Sequence, residues 1–313
     1  MRAAVYGHHG VHIEEVERPV PGDDEVLLKV HAASLNAPDW RVMSVSPLLR
    51  RLMFAIAKTR RPGRDVAGIV EAAGRKITQF KPGDAVFGCA SGSCADYACA
   101  REAWLVPKPE TISFEQAACV AVSGLTALQG LRDKGKLQPG QTVLINGGTG
   151  AVGTFAVQIA KALGGETTAV CSTRNVDLVR SLGADHVIDY SKEDFTKGSQ
   201  RYDVIFDVVG NRSLSSCGRL LTPTGSFVMV GGPKQAWAVL IRALTAFVRS
   251  RLSSRFRMFM ARLRKDDLAA LTDLITAGKV TPTIDRSYPL GNIAEAMQYA
   301  GKGHSRAKVV ITM

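Results

Sequence analysis

A glycine-rich turn stands where the chain could bind phosphate. Residues 145–153 read INGGTGAVG, with G-x-G-x-x-G spacing directly after the apolar run TVLIN and before a helical pattern. Glycines allow a close approach to a pyrophosphate, and the N-terminus of the next helix offers free N–H groups. A purely structural turn is the alternative, but the flanking strand and helix favour dinucleotide binding. The predicted binding segment is Gly148, Thr149, Gly150, Ala151, Val152 and Gly153.

The stretch TAVCSTRN, residues 168–175, indicates which dinucleotide is bound. An enzyme that uses NAD usually carries an acid here, which accepts hydrogen bonds from the ribose 2′-OH and would repel a 2′-phosphate. Ser172, Thr173 and Arg174 instead offer two hydroxyls and a guanidinium, which donate to an anion. The sequence therefore predicts NADPH. The alternative is that Arg174 is a solvated residue at the start of a helix.

A sheet must position these residues. The hydrophobic periodicity changes near residue 115, which predicts such a sheet in the second part of the chain. Before that point, short strand-like runs are separated by turn clusters, which is typical of a small β-rich domain. After it, the strands TVLIN, TTAVC, HVIDY, YDVIFDVV and GSFVMVG alternate with helical patterns, including 154–163 and 176–182. The predicted fold class is α/β, with a doubly wound parallel Rossmann sheet beside the β-rich domain. A length of 313 residues also favours two domains.

Composition limits the function classes. The six cysteines lie among apolar or small residues without a C-x-x-C pair, so buried free thiols are predicted rather than metal ligands. The chain has no run of about 18 uncharged apolar residues and no apolar core of a signal peptide near its start. A cytoplasmic location is the expectation.

The net charge of +12 is concentrated in two runs. Residues 41–64 hold seven Lys or Arg and no acid, and residues 234–265 hold nine and no acid, with large apolar residues at helical spacing. The second run is predicted to be a basic amphipathic helical insertion. It would either roof the active site with its arginines solvated, or lie on an anionic membrane surface and make the protein peripheral to that membrane. The basic runs contain few aromatics spaced for base stacking, which argues against nucleic acid.

Several motifs in a fixed order carry a family resemblance. They are SLNAPDW (34–40), GRDVAGIVEAAG (63–74), KPGDAVFG (81–88), SGLTAL (123–128), NGGTGAVG (146–153), LGADHVIDY (182–190), FDVVG (206–210) and KVVI (308–311). Together they resemble the zinc-independent quinone oxidoreductases of the medium-chain dehydrogenase/reductase superfamily. The resemblance implies a GroES-like catalytic domain over 1–117 and 284–313. It also implies a Rossmann domain over 118–283, which would contain the insertion at about 234–265.

The same resemblance implies hydride transfer from NADPH to a small lipophilic quinone or α,β-unsaturated carbonyl. A homodimer is a further hypothesis, which no motif in the sequence decides. Zinc-dependent relatives place a cysteine near position 34 and a histidine just after the glycine at 63. Ser34 and Arg64 stand there and do not ligate zinc, so no metal is expected. The alternative function is an NADPH-binding sensor or scaffold that uses its basic face on membrane or RNA.

The family resemblance also implies roles for individual residues. Asn36 and Thr126 would lie beside the nicotinamide and substrate. Many members carry a tyrosine five residues after the asparagine, where this chain has Arg41. Arg41 would either favour an anionic or strongly polarised carbonyl or point to solvent. The further cofactor contacts implied are Tyr190 at the 2′-phosphate, Val230 and Gly231 at the ring amide, and Val209 and Lys308.

Overall fold

Two large β-sheets organise the protein, and each belongs to its own unit of the chain. The structure is a computed structural model that describes residues 1–7, 10–46, 50, 52, 54, 59–232, 255–303 and 305–313. The first unit is formed by Met1–Val122, Leu263–Thr276 and Pro282–Met313, and the second by Ser123–Arg262 and Ala277–Thr281. The sequence-based boundaries put the helix Lys265–Thr276 in the second unit, whereas it packs against the sheet of the first.

The strands and helices of the described residues have the following bounds. In chain order the strands are β1 (Arg2–Tyr6), β2 (Val11–Glu15), β3 (Glu25–Ser34), β4 (Asp65–Ala73), β5 (Ala85–Cys89), β6 (Tyr97–Arg101), β7 (Leu105–Pro107), β8 (Thr142–Asn146), β9 (Glu166–Cys171), β10 (His186–Asp189), β11 (Tyr202–Asp207), β12 (Leu221–Met229), β13 (Phe256–Met258), β14 (Ile284–Pro289) and β15 (Lys308–Thr312). The α-helices cover Ala37–Arg41, Phe114–Ala117, Ala121–Leu128, Ala151–Ala162, Val176–Ser181, Leu214–Arg219, Lys265–Thr276 and Ile293–Lys302.

The first unit is built on a mostly antiparallel sheet in the order β14-β15-β3-β4-β5-β7, with β6 also paired to β3. Val26 and Leu28 of β3 are fully buried in one of its apolar clusters. Ser34, at the end of β3, is paired with Val310 of β15 on one side and with Asp65 of β4 on the other. This register brings the first residues of β4 and β15 beside the end of β3.

The second unit contains a parallel sheet in the order β10-β9-β8-β11-β12-β13. Leu144, Val170, Ile205 and Phe227 from its strands pack in one buried cluster. The chain winds outward from β8 in one direction and from β11 in the other, which is the doubly wound Rossmann order. The predicted fold class is confirmed, and ligands in such sheets bind where the winding reverses, beyond the carboxyl ends of the strands.

The strands and helices around this reversal lie close to their predicted positions. The helix after β8 covers Ala151–Ala162, against a prediction of 154–163. The helix after β9 covers Val176–Ser181, against 176–182. Apolar periodicity located both helices, but it could not show that the first begins inside the glycine motif.

The predicted basic insertion falls mostly on residues 233–254, which lie outside the described residues. In its described part, Phe256–Met258 forms strand β13 instead of a helix, because its backbone pairs with β12 and Phe256 packs against Phe227 with 5.7 Å between ring centroids. Across the described ranges, no helix combines the length and the apolar character needed to cross a membrane.

All six cysteines carry free thiols, as the sequence predicted. Five are buried and Cys99 is partly buried. Burial raises the pKa of Cys99 and Cys171 to about 11 and that of Cys119 to about 12. These thiols therefore stay protonated at neutral pH and are poor nucleophiles.

Candidate functional site

The glycine turn of the second unit forms a tight cradle, in which the positions of Gly147 and Gly153 leave no room for a side chain. Gly147 has a φ of +96°, and a Cβ on Gly153 would lie 1.9 Å from the main-chain oxygen of Gly147. Gly150 caps the helix Ala151–Ala162 with extended backbone. The N–H groups of Gly148 and Gly150 donate to the main-chain oxygens of Val170 and Gly147. The first-turn N–H groups of a helix have no intrahelical acceptor, so within the predicted segment it is residues 151–153 that offer donors to a pyrophosphate.

A buried acid, Asp207 at the end of β11, fixes two further loops at this edge of the sheet. Its Oδ1 accepts hydrogen bonds from Asn146 Nδ2 at 2.8 Å and from the main-chain N–H of Val209 at 3.2 Å. Its main-chain oxygen accepts from the N–H groups of Val230 and Gly231 at 3.1 and 3.3 Å. The structure thus brings Val209, Val230 and Gly231 together. Sequence reasoning missed the acid that joins them, although it stands in the FDVVG motif.

The segment after β9 departs in one respect from its predicted role. Thr173 donates its hydroxyl to Asp189 Oδ2 at 2.5 Å, and this bond lowers the pKa of the Asp189 carboxyl. The prediction that Thr173 donates to a phosphate does not fit this arrangement, because its one hydroxyl hydrogen serves a carboxylate. Ser172 and Arg174 stand on either side of it, and the Arg174 side chain is exposed. The contribution of Asp189 was not foreseen, since its strand pairing with Cys171 is invisible in the sequence.

Asn175 ties this segment to the glycine cradle. Its side chain is 6% exposed, and Nδ2 lies 3.2 Å from Ser172 Oγ and 3.3 Å from Thr149 Oγ1. Its Oδ1 is buried and has no hydrogen-bond partner among the described residues. Tyr190 is held next to the same strand end by its N–H bond to Cys171 and exposes 54% of its surface. The cradle and this orphaned polar atom fit a dinucleotide at the end of β9.

The first unit contains a separate polar cluster at the joined ends of β3, β4 and β15. Lys308 and Asp65 form an ion pair of 2.7 Å in which both side chains are fully buried. Asn36 lies across the pair, with Nδ2 donating to Asp65 Oδ2 at 3.0 Å and Oδ1 accepting from Lys308 Nζ at 2.8 Å. Lys308 also donates to the main-chain oxygen of Leu35 at 3.3 Å. All three of its donors are therefore engaged, which leaves none for the cofactor contact expected from the sequence.

Asp39 anchors the turn that carries Asn36. One of its carboxylate oxygens accepts from the Asn36 N–H at 2.7 Å and the other from the Gly63 N–H at 3.0 Å. Burial raises the pKa of this carboxyl, and the two main-chain donors oppose that shift. The helix Ala37–Arg41 thus starts from a fixed position, so Asn36 is held through its backbone as well as its side chain.

Arg41 neither lies free in solvent nor is fully buried. Its guanidinium carbon stands 5.2 Å from the ring centroid of Trp40, and partial burial lowers the pKa of the guanidinium. Thr126, the other residue assigned to substrate, is partly exposed on the helix Ala121–Leu128 and belongs to the second unit.

The residues at the two positions where zinc-dependent relatives carry ligands make other contacts in this protein. Ser34 is buried, with Oγ 2.6 Å from the main-chain oxygen of Ala118, to which it donates, and 3.1 Å from Asp65 Oδ2. Arg64 is exposed, with its guanidinium carbon 5.7 Å from the ring centroid of Trp104. Within the described residues, no group of three or more His, Cys, Asp or Glu side chains could hold a metal ion.

The GroES-like sheet unit and the Rossmann unit with its glycine cradle define a medium-chain dehydrogenase/reductase. Family models agree: residues 22–110 match the alcohol dehydrogenase GroES-like domain, and residues 182–311 match the zinc-binding dehydrogenase domain.

Comparison with known proteins narrows the class. A chloroplast envelope quinone oxidoreductase homolog of Arabidopsis thaliana is 31% identical, covering 98% of this chain and 95% of that protein. An NADPH-dependent alkenal/one oxidoreductase of the same plant is 31% identical over 99% of this chain and 79% of that protein. The quinone oxidoreductase structure from Coxiella burnetii has a TM-score of 0.87 and 29% identity, covering 100% of this chain and 99% of that one. The chain belongs to the quinone oxidoreductase group of the superfamily and is an oxidoreductase that uses a nicotinamide cofactor.

Proposed function

We propose that the protein reduces quinones or α,β-unsaturated carbonyls with NADPH and without zinc. The observation that carries the cofactor choice is the end of β9, where Ser172 and Arg174 replace the acid that would bind a ribose 2′-OH. The substrate class is supported by relatives named for quinones and for alkenals or enones.

The residues of the second unit hold the cofactor in this proposal. The glycines of the segment 148–153 let the pyrophosphate approach, the N–H groups of residues 151–153 bind it, and Ser172, Arg174 and Tyr190 surround the 2′-phosphate. Thr173 contributes indirectly, because its bond to Asp189 keeps that carboxylate tied to the turn. Val230 and Gly231, fixed through Asp207, present the main chain to the nicotinamide amide. When bound, the cofactor supplies a hydride to the acceptor.

Asn36 and Thr126 are assigned to the substrate end of the site, as the family resemblance implies. A polar donor at the acceptor carbonyl stabilises the negative charge that grows on its oxygen during reduction. Arg41 supplies a cation close to Asn36 in sequence, and its partial burial strengthens its interaction with an anionic or strongly polarised acceptor. This support favours the substrate role of Arg41 over the solvent-facing one.

Reduction without a metal is supported by the donor set at positions 34 and 64. The Ser34 hydroxyl is already committed to Ala118, and the Arg64 guanidinium is a cation, which repels Zn²⁺ and has no lone pair to give. Conjugated acceptors suit such a site because their own electron sink replaces a Lewis acid.

The test is NADPH oxidation, followed at its nicotinamide absorbance, with a quinone, an enone, an enal and a saturated aldehyde as acceptors. We expect turnover with the conjugated acceptors and little with the aldehyde. NADPH binding without turnover on any acceptor would favour the sensor or scaffold alternative. The cytoplasmic location, the homodimer and the membrane contact of residues 234–265 stay predictions.

A further inference from the structure

We propose that Asp65 and Lys308 are positioning residues that fix the orientation of the Asn36 carboxamide, and that Lys308 also strengthens the free N–H of Asn36 as a donor to the acceptor carbonyl. This inference deepens the proposed function and rests on the substrate role assigned to Asn36 there. It replaces the cofactor contact expected for Lys308 with an action through Asn36.

The strand register creates the contact. Asp65 begins β4 and Lys308 begins β15, 243 residues later, and both strands flank the end of β3. Asn36 follows β3 after one residue, so its side chain meets both charges. A buried charge needs a partner and further hydrogen bonds. Both charges have them, since Asp65 Oδ1 also accepts from the Val122 N–H at 2.7 Å.

The two charges make the two possible orientations of the Asn36 carboxamide unequal in energy. The amide oxygen of Asn36 faces an ammonium at 2.8 Å, and its nitrogen faces a carboxylate at 3.0 Å. Turning the carboxamide over would point an N–H at the ammonium and the oxygen at the carboxylate, which is repulsive on both sides. The ion pair therefore selects one of two orientations that are otherwise nearly isosteric.

One N–H of the carboxamide is left for a ligand. Nδ2 carries two hydrogens and one goes to Asp65, while no acceptor in the described part of the chain takes the other. Asn36 is partly exposed although the ion pair beneath it is fully buried. An amide whose oxygen accepts from an ammonium is polarised, which makes its remaining N–H a stronger donor. The expected ligand group is a carbonyl oxygen that gains negative charge.

A purely structural ion pair is the competing explanation, and a double-mutant cycle separates the two. The variants are Asn36→Ala, Lys308→Met and the combination of both, assayed for kcat, KM and Tm with one quinone and NADPH. If Lys308 acts through Asn36, each single variant lowers kcat by roughly 100-fold, and the combined variant is no slower than the slower single one. Effects on kcat that multiply would overturn the proposal.

Two further variants distinguish a fall in kcat from a loss of folding. Asp65→Asn combined with Lys308→Gln removes both charges and keeps polar groups of similar size, so it should retain most of the Tm while kcat falls. Val309→Ala makes a cavity in the same strand, at a buried residue that packs in an apolar cluster. It should lower Tm and leave kcat unchanged. An Asp65→Asn/Lys308→Gln protein with wild-type kcat would refute the positioning role.

A measurement on the resting protein keeps this inference separate from the proposed function. With ¹⁵N-labelled asparagine, the Asn36 side-chain signals are assigned by their loss in Asn36→Ala. We expect two widely separated proton shifts, one from the hydrogen bonded to Asp65, and their convergence in Asp65→Asn/Lys308→Gln. Signals that stay unchanged in that variant contradict the inference even if no acceptor is turned over. Absence of turnover with the expected signals contradicts only the proposed function.

Discussion

Gly153→Ala should damage the nucleotide cradle in a way that the geometry specifies. The new Cβ would stand 1.9 Å from the main-chain oxygen of Gly147 and 2.8 Å from the main-chain carbon of Gly148, whereas real Cβ contacts essentially never fall below 3.0 Å. Because both neighbours are backbone, the loop and the helix Ala151–Ala162 must separate. Overpacking of this kind costs about 1–3 kcal/mol, which lowers Tm by roughly 2–4 °C for each kcal/mol in a unit of this size.

The displaced N–H groups should also bind the cofactor poorly. We expect the NADPH Kd, measured by titration calorimetry, to rise by about tenfold or more, equivalent to about 1.4 kcal/mol. Two control variants at other glycines distinguish an effect on folding from an effect on cofactor binding. A Cβ on Gly150 meets no protein atom closer than 3.9 Å, so Gly150→Ala should keep its Tm and lose only affinity, because the methyl occupies space that the pyrophosphate needs. Gly291→Ala, with open space around its Cβ, should change neither quantity.

The outcomes that refute this reasoning are specific. A wild-type Tm and Kd in Gly153→Ala would mean that the loop is not packed on the helix as described. Wild-type affinity in Gly150→Ala would mean that the pyrophosphate does not approach the turn. A fall in the Tm of Gly291→Ala as large as that of Gly153→Ala would show that glycine replacement is harmful for reasons other than contact.

Three further predictions concern the cofactor, the metal and pH. NADPH should bind at least about tenfold tighter than NADH, a difference of about 1.4 kcal/mol, and Arg174→Ala should remove most of that gap; equal Kd values in the wild type would reject the assignment. Chelator treatment should leave turnover unchanged, whereas stoichiometric zinc whose removal abolishes turnover would contradict the metal-free proposal. The Asp189 carboxyl, whose pKa is lowered first by the Thr173 bond, stabilises the fold above its unfolded pKa and loses that contribution as pH falls through its folded value. Thr173→Val should therefore move the midpoint of acid unfolding to higher pH, and an unchanged midpoint would show that the bond contributes nothing to the folded state.

The second unit was largely predictable because its signals are local. Strand β8, the glycine turn and the helix that follows are contiguous, so periodicity and glycine spacing locate Gly148, Gly150 and Gly153 together. Asp207 escaped notice because its partners are set by sheet pairing. Its carboxylate joins the end of β8 to the loop after β11, and a single acid in an apolar run gives no sign of that role.

The buried ion pair of the first unit could not be predicted, because it depends on contacts between distant parts of the sequence. Asp65 and Lys308 are far apart in the sequence, and only the order β15-β3-β4 makes them neighbours. Segment 255–260 was misread for a different reason. It reads RFRMFM, whose partial alternation of basic and apolar residues is a strand signal, but the longer helical spacing of the preceding residues outweighed it.

The strand order β15-β3-β4 also has a consequence for how the protein is made. β3 and β4 leave the ribosome before the whole second unit, and β15 leaves after it. Until then the carboxyl-terminal half of β3 lacks the neighbour that pairs with Ala32–Ser34, and Asp65 lacks its cation. A nascent chain in this state exposes an open sheet edge and an unpaired carboxylate, so the first unit has to wait for the second. Slow synthesis of the second unit would lengthen the time in which nascent chains can pair with each other along that edge.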